Sequence, residues 1–260
     1  MKNETHLGSA AIASECARYV TADSPVAVSM AEGIRRGDLE LVSRVLEQNA
    51  GMATVRVGEA NKSKTWLHVV TDWPGYFPNG PAVVRALIEA GADPNARIAG
   101  AWHSETPLHW AASSDDVEVA EALIIRGANV QAMGGSIAGG TPLDNAIGYG
   151  CWRVARMLAE HGVQIEKLWH AAALGMGSHV ESFFDKDPAP QIKEINDAFW
   201  QACHGGHRWT AEYLLARGAD LNWIPDYAKQ TPLDVAAGPE TGREALVNFL
   251  REKGAKSSLK

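Results

Sequence analysis

Cys203, His204 and His207 place three potential metal ligands within the five-residue run Cys203-His204-Gly205-Gly206-His207, a spacing that could fill part of a zinc or iron shell. No acidic or histidine cluster stands at an obvious second position to complete that shell, so no metal site is expected. Gly134-Gly135-Ser136-Ile137-Ala138-Gly139-Gly140-Thr141 imitates a phosphate-cradling loop, but Gly140 stands where such a loop needs its lysine. A long hairpin tip is the better reading. The carboxylate pairs Asp115-Asp116 and Asp185-x-Asp187 could serve acid–base chemistry. Asp115-Asp116, however, falls just ahead of a helix starting at Val117, where carboxylates cap free amides and complement the helix dipole. Gly-x-Ser-x-Gly, His-Glu-x-x-His and Gly-x-Gly-x-x-Gly are missing, which removes the commonest hydrolase, metalloprotease and dinucleotide-binding readings. If the chain were an enzyme, its proton-transfer groups would come from His103, Tyr149, His170 and His204; no catalytic set and no cofactor is otherwise indicated.

Any such set must be held by surrounding elements, and internal repetition reveals them. Ala90-Gly91-Ala92-Asp93 recurs as Arg126-Gly127-Ala128-Asn129, His161-Gly162-Val163-Gln164, Arg217-Gly218-Ala219-Asp220 and Lys253-Gly254-Ala255-Lys256. Most of these glycines lie 35 or 36 residues apart; the 56-residue gap from Gly162 to Gly218 suits two shortened units. Ahead of the glycines stand apolar triads at i, i+3, i+4, such as Val84, Leu87, Ile88 and Ala211, Leu214, Leu215. That spacing forms one side of a helix, which Gly ends in a left-handed conformation costly for residues with a Cβ. Val42, Val45, Leu46 and Val180, Phe183, Phe184 supply two further helices of this kind.

A second signature opens the units: Thr106-Pro107-Leu108-His109, Thr141-Pro142-Leu143-Asp144, Thr231-Pro232-Leu233-Asp234 and, with Pro replaced, Thr65-Trp66-Leu67-His68. Thr caps a helix, and Pro in its first turn surrenders a backbone donor that had no partner. With both signatures recurring together, the chain from about Val26 resembles the ankyrin-repeat family. The resemblance implies an all-α solenoid of about seven helix-turn-helix units with projecting hairpins, near residues 26–50, 65–92, 106–128, 141–163, 166–186, 195–219 and 231–255. Units five and six lack Thr-Pro, and Asp185-Lys186-Asp187-Pro188-Ala189-Pro190 between them is hostile to helix. Residues 1–25 fit no unit and read as an extension or a capping helix. The resemblance further implies that His68 and His109 tie Thr and backbone groups of adjoining turns together, that Asp144 and Asp234 replace them as hydrogen-bond acceptors, and that Gly206-His207 belongs to a turn between two helices.

The composition of this 260-residue chain, 46% hydrophobic and 21% charged, is that of a folded protein. Its net charge of −7 disfavours generic attraction to nucleic acid or anionic membrane. No apolar run approaches membrane-spanning length, and the first 17 residues lack a secretory pattern, so a cytoplasmic protein is expected. The three cysteines, odd in number and far apart, support no disulfide framework.

Nine tryptophans are many for such an array. In the family's architecture, hairpin tips and the exposed side of the first helices line one concave groove. Carried onto this sequence, that surface comprises Asp72, Trp73 and Tyr76 in unit two, and Trp102, His103, Trp110, Ser113, Ser114 and Asp115 in unit three. Farther along it includes Tyr149, Trp152, His170, His204, Trp223 and Tyr227. Trp102 and Trp223 are expected to be exposed, because they fall in hairpins. Trp110, Trp152, Trp169, Trp200 and Trp209, inside helices, are expected to pack as core. Exposed Trp and Tyr are favoured binding anchors, so the expected function is a protein–protein interaction scaffold whose aromatic and acidic groove binds a segment of another protein, with Asp72 and Asp115 attracting a basic partner. This is compatible with a monomer. The alternative is a small-molecule binder or enzyme with a pocket between enlarged hairpins and the irregular units four to six.

Overall fold

Each repeated signature becomes one end of a helix. The computed structural model describes residues 18–238 and 242–258; most of the expected N-terminal extension, residues 1–17, lies outside these. Fourteen α-helices among the described residues form seven consecutive antiparallel pairs. The first four pairs are α1 (Pro25–Arg36) with α2 (Leu39–Gln48), α3 (Trp66–Val70) with α4 (Gly80–Glu89), α5 (Pro107–Ser113) with α6 (Val117–Ile125), and α7 (Pro142–Gly148) with α8 (Trp152–Glu160). Then come α9 (Leu168–Ala173) with α10 (Gly177–Phe184), α11 (Ile192–Gly205) with α12 (Arg208–Ala216), and α13 (Pro232–Ala236) with α14 (Glu244–Glu252). The first helix of each pair lines one side of the stack and the second lines the other, as α3, α5 and α7 touch in series and α2, α4, α6 and α8 do likewise.

The capping chemistry is local. Thr65, Thr106, Thr141 and Thr231 form capping boxes with the residue three places on, twice a histidine and twice an aspartate. The Thr106 amide donates to His109 Nδ1 at 3.1 Å, which leaves Nε2 to donate to Gly140 O at 3.2 Å. His68 repeats this tie, from Thr65 to Glu105 O. Asp144 accepts from the Thr141 amide and hydroxyl through Oδ2, while Oδ1 faces Lys167 and His170 of the next unit. One side chain thus closes its own helix and fastens the following unit, whichever residue type fills the position.

Between the pairs runs a line of fully buried Leu, including Leu67, Leu87, Leu108, Leu123, Leu143, Leu158 and Leu214, each stabilising the stack by about 2 kcal/mol on burial. The buried apolar residues divide into two clusters, one from Ala27 through Val163 plus Ala173, the other from Leu168 to Leu250. Ile165 and Trp169 pack against both.

Three features depart from the expected pattern. Residues 19–20 are strand rather than capping helix: β1 (Tyr19–Val20) pairs parallel with β2 (Arg56–Glu59), which pairs antiparallel with β3 (Lys62–Lys64) in the hairpin ahead of α3. Ser63 bridges to Ala99, extending this small sheet toward the next hairpin. Next, α11 is 14 residues long whereas α5 has 7, because Gln191 and Glu194 supply a capping box well ahead of the repeat register. Finally, nine residues, 71–79, separate α3 from α4, whereas three separate α5 from α6. This long loop packs back on the stack at Gly37, whose φ is +64° and where a Cβ would lie 2.0 Å from Pro78 O, so only glycine fits.

Candidate functional site

The long loop of unit two shapes the site. Its Tyr76 amide donates to Asp116 Oδ2 at 2.8 Å, its Tyr76 hydroxyl donates to Asp115 O, and Arg153 of unit four reaches that hydroxyl at 3.4 Å. The loop is therefore strapped across units three and four. It leaves Trp73 81% exposed at its bend, a large apolar area that none of the described residues covers.

Beside Trp73 lies a concave depression of about 470 Å³, open to solvent along one side. Trp73 and Tyr149 form its walls, Glu105, Trp110 and Ser113 its floor, and His103 and Ser136 its rim on the hairpin side. The helix-end residues reach it because α3, α5 and α7 stand in register, so that Asp72, Ser114 and Tyr149, each at or just past the C-terminus of one of these helices, fall in a row. Across His103 and Trp110 a second depression of about 410 Å³ continues toward the sheet, with Val57, Ile98, Ala99 and Ala101 among its lining.

The electrostatics centre on a buried carboxylate. Glu105 is 4% exposed. Its Oε1 accepts from Asn145 Nδ2 at 2.7 Å and the Ser136 amide at 2.8 Å, and its Oε2 accepts from Trp110 Nε1 at 2.9 Å. His103 Nδ1 lies 3.2 Å from Oε2 without the alignment of a hydrogen bond. Burial alone would raise the Glu105 pKa, but hydrogen bonds from Asn145 and Ser136 outweigh it and hold the group below the usual carboxylate value. A charge is thus kept in a sheltered place by neutral donors, with the His103 imidazole beside it adding to their effect. Asp72 is matched differently, by Lys64 Nζ at 2.7 Å, and Lys64 also stands 5.3 Å from the Trp110 ring centre.

The family of ankyrin repeats (3 copies) matches residues 77–167, and with seven stacked helix pairs this decides the family. The chain is an ankyrin-repeat protein. An ankyrin repeat and KH domain-containing protein, CBG24701, of Caenorhabditis briggsae is 31% identical over 161 residues, 57% of this chain; the aligned part spans only 6% of that relative. The crystal structure of the human ASB11 ankyrin repeat domain superposes with a TM-score of 0.51 at 20% identity, covering 86% of this chain and 97% of that one, a likeness of fold. The ankyrin-repeat fold generally mediates protein–protein interaction.

Seven of the ankyrin-groove residues named from sequence line the first depression together: Asp72, Trp73, His103, Trp110, Ser113, Ser114 and Tyr149. Trp102 stands nearby at 79% exposure, edge-on to His103, and Tyr76 braces the loop. Tyr227 is 66% exposed but does not line this depression; Asp115 and Trp223, and Trp209 among the expected core rings, require correction. Asp115 does not face outward as a free charge: its Oδ1 accepts from the Val154 amide at 2.9 Å and so caps the outer helix of the next unit. Trp223 is half-buried rather than exposed, its indole donating to Asp197 at 3.3 Å. Trp209, placed in the core by its helix, is 50% exposed and stacks on Tyr213. Trp200 is buried, while Trp110, Trp152 and Trp169 are half-buried.

The four histidine and tyrosine groups considered for proton transfer are dispersed. His103 and Tyr149 line the first depression, His170 is 3% exposed against Asp144, and His204 contacts the rings of Trp152 and Trp200 at 4.9 and 5.1 Å. Cys203 is fully buried, and burial pushes its thiol pKa up strongly. Burial likewise lowers that of His207 in the turn after α11. Among the described residues, no group of three or more His, Cys, Asp or Glu side chains could hold a metal ion, and no helix is long and apolar enough to cross a membrane. Glu105, Ser136 and Asn145 are site residues that sequence reasoning missed; for Glu105 the available signal was a carboxylate directly ahead of Thr106.

Proposed function

We propose that this ankyrin-repeat protein is a non-catalytic interaction scaffold whose concave groove over units two to four binds a segment of another protein. The observation that carries the reading is the pair Trp73 and Trp102, both about four-fifths exposed, flanking a preformed depression with a polar floor. Rigid aromatic anchors beside a pocket bury large area on binding and lose little conformational freedom. Strapping of the 71–79 loop to units three and four keeps Trp73 in place before a partner arrives, which lowers the ordering cost. Capture from the native source with wild-type protein and with Trp73→Ala and Trp102→Ala tests the reading. A partner retained by wild type and lost by both variants, with unchanged thermal stability, supports it; equal retention by all three contradicts it.

One observation favours a second reading, binding of a small molecule: a volume of about 470 Å³ lies within the usual range of ligand pockets, and both His103 and Tyr149 line it. Extraction and mass analysis of small molecules co-purifying with the protein separates the two, since the second reading requires one that Trp73→Ala releases.

A further inference from the structure

We propose that the Glu105 depression receives an arginine or lysine side chain of an extended partner segment, and that the adjoining Val57–Ile98 depression takes an apolar side chain close to it in the same segment. This rests on the interaction-scaffold reading and names the chemistry of the partner.

The charge pattern leads to the cation. Asp72 is offset by Lys64, whereas the hydrogen-bond donors to Glu105 are the neutral groups of Asn145, Ser136 and Trp110. The first depression thus carries a buried carboxylate under low-dielectric walls, with the His103 imidazole 3.2 Å from Oε2, and the field of such a charge is focused toward the opening. The walls suit the same guest. Trp73 and Tyr149 present exposed rings to it, and cations bind aromatic faces. The protein already makes this contact internally, with Lys64 over Trp110. Ser113 Oγ, Ser136 Oγ and Tyr149 OH add oxygen acceptors to the lining for a guanidinium or ammonium group.

The second depression has the opposite character. Val57, Ile98, Ala99 and Ala101 line it, and its charged members are Lys62 and Lys64, which repel a second cation. The two depressions share His103 and Trp110. A segment lying across these two rings therefore meets a carboxylate on one side and apolar surface on the other.

The test uses full-length ¹⁵N-labelled protein titrated with blocked peptide pools carrying Arg, Lys, Gln or Glu at a fixed central position and random flanks, read at the tryptophan indole signals. Arg- and Lys-centred pools should shift Trp73 and Trp110 but leave Trp209 and Trp223 in place, with binding weakened about tenfold in Glu105→Gln, as expected when one charge-assisted contact is lost. Asp72→Lys, at a partly exposed position, should abolish the shifts and serves where Glu105→Gln fails to fold. Fixing Leu within two positions of the cation should strengthen binding about tenfold. Gln- or Glu-centred pools that shift Trp73 and Trp110 as strongly would overturn the cation while leaving the groove as an interaction surface. Equal shifts of all four indoles, or binding indifferent to Asp72→Lys, would overturn it as nonspecific attraction to an acidic chain. No shift at either groove tryptophan with any pool would overturn both this inference and the groove reading.

Discussion

Glu105 Oε2 accepts the indole proton of Trp110 at 2.9 Å, so the floor of the groove is held by a carboxylate and a ring five residues apart on either side of a helix start. Through Oε1 the same carboxylate holds the Ser136 amide of the next hairpin and the Asn145 amide of the next inner helix. Glu105→Ala strands three donors at once and should cost about 2–4 kcal/mol in urea unfolding. Trp110→Phe, which removes one donor and keeps most of the ring, should cost about 1 kcal/mol. Equal losses in the two variants would mean that Glu105 is not the hub.

Acid sensitivity should come first from histidine. Burial lowers the His68 pKa to about 3, so the folded protein keeps it neutral while the unfolded chain takes up a proton below about 6.5. The associated stability is complete above that value and is lost as pH falls toward 3, amounting to about 2 kcal/mol by pH 5. His109 and His207, also lowered by burial, act in the same direction. Asp144 is opposite in kind: hydrogen bonds from His170, Lys167 and Thr141 outweigh burial and depress its pKa, so its contribution disappears only below about 4. Unfolding free energy followed from pH 7 to 4.5 should therefore decline in wild type and decline less in His68→Gln. Parallel curves would remove His68 from the account.

Asp115 caps a helix that is not its own, accepting from the Val154 amide across the unit boundary. It does so from a left-handed backbone with φ +55°, which Asn tolerates and Ala resists. Asp115→Asn should change the denaturation midpoint little, and Asp115→Ala should cost about 1–2 kcal/mol. The reverse order would show that charge, not capping geometry, matters there.

Trp169 joins the two apolar clusters from a half-buried position in α9. Because each unit of a solenoid is stabilised by its neighbours, weakening one junction should split the cooperative transition. Trp169→Ala should unfold in two steps, with fluorescence and circular dichroism midpoints separated; coincident midpoints would show that the remaining contacts between units four and five suffice.

How much of this was legible in the sequence follows the range of the interactions. The Thr-Pro-Leu starts and Gly ends act within a few residues, so the six outer helices from α2 to α12 stand where their apolar triads place them, including α10 and α12 on either side of the proline-rich connector. His109 could be read as a tie because its partners belong to the repeat itself. Glu105 could not: its donors Ser136 and Asn145 are 31 and 40 residues away, and only the stacked helices bring them to it. Asp115 misled for a related reason, since its capping partner belongs to the next unit. Trp223 misled because the extra length of α11 supplies Asp197, a partner that a regular unit would lack.

The central claim, that the concave groove over units two to four is where a partner binds, is tested most directly by placing a photo-crosslinking amino acid at position 102 and, in a separate protein, at the outer-helix position 125, where Ile125 is 70% exposed. After irradiation in extract of the native source, position 102 should yield a crosslinked peptide from one recurrent partner that Trp73→Ala abolishes, and position 125 should yield none. Recurrent capture from position 125 alone would contradict the account.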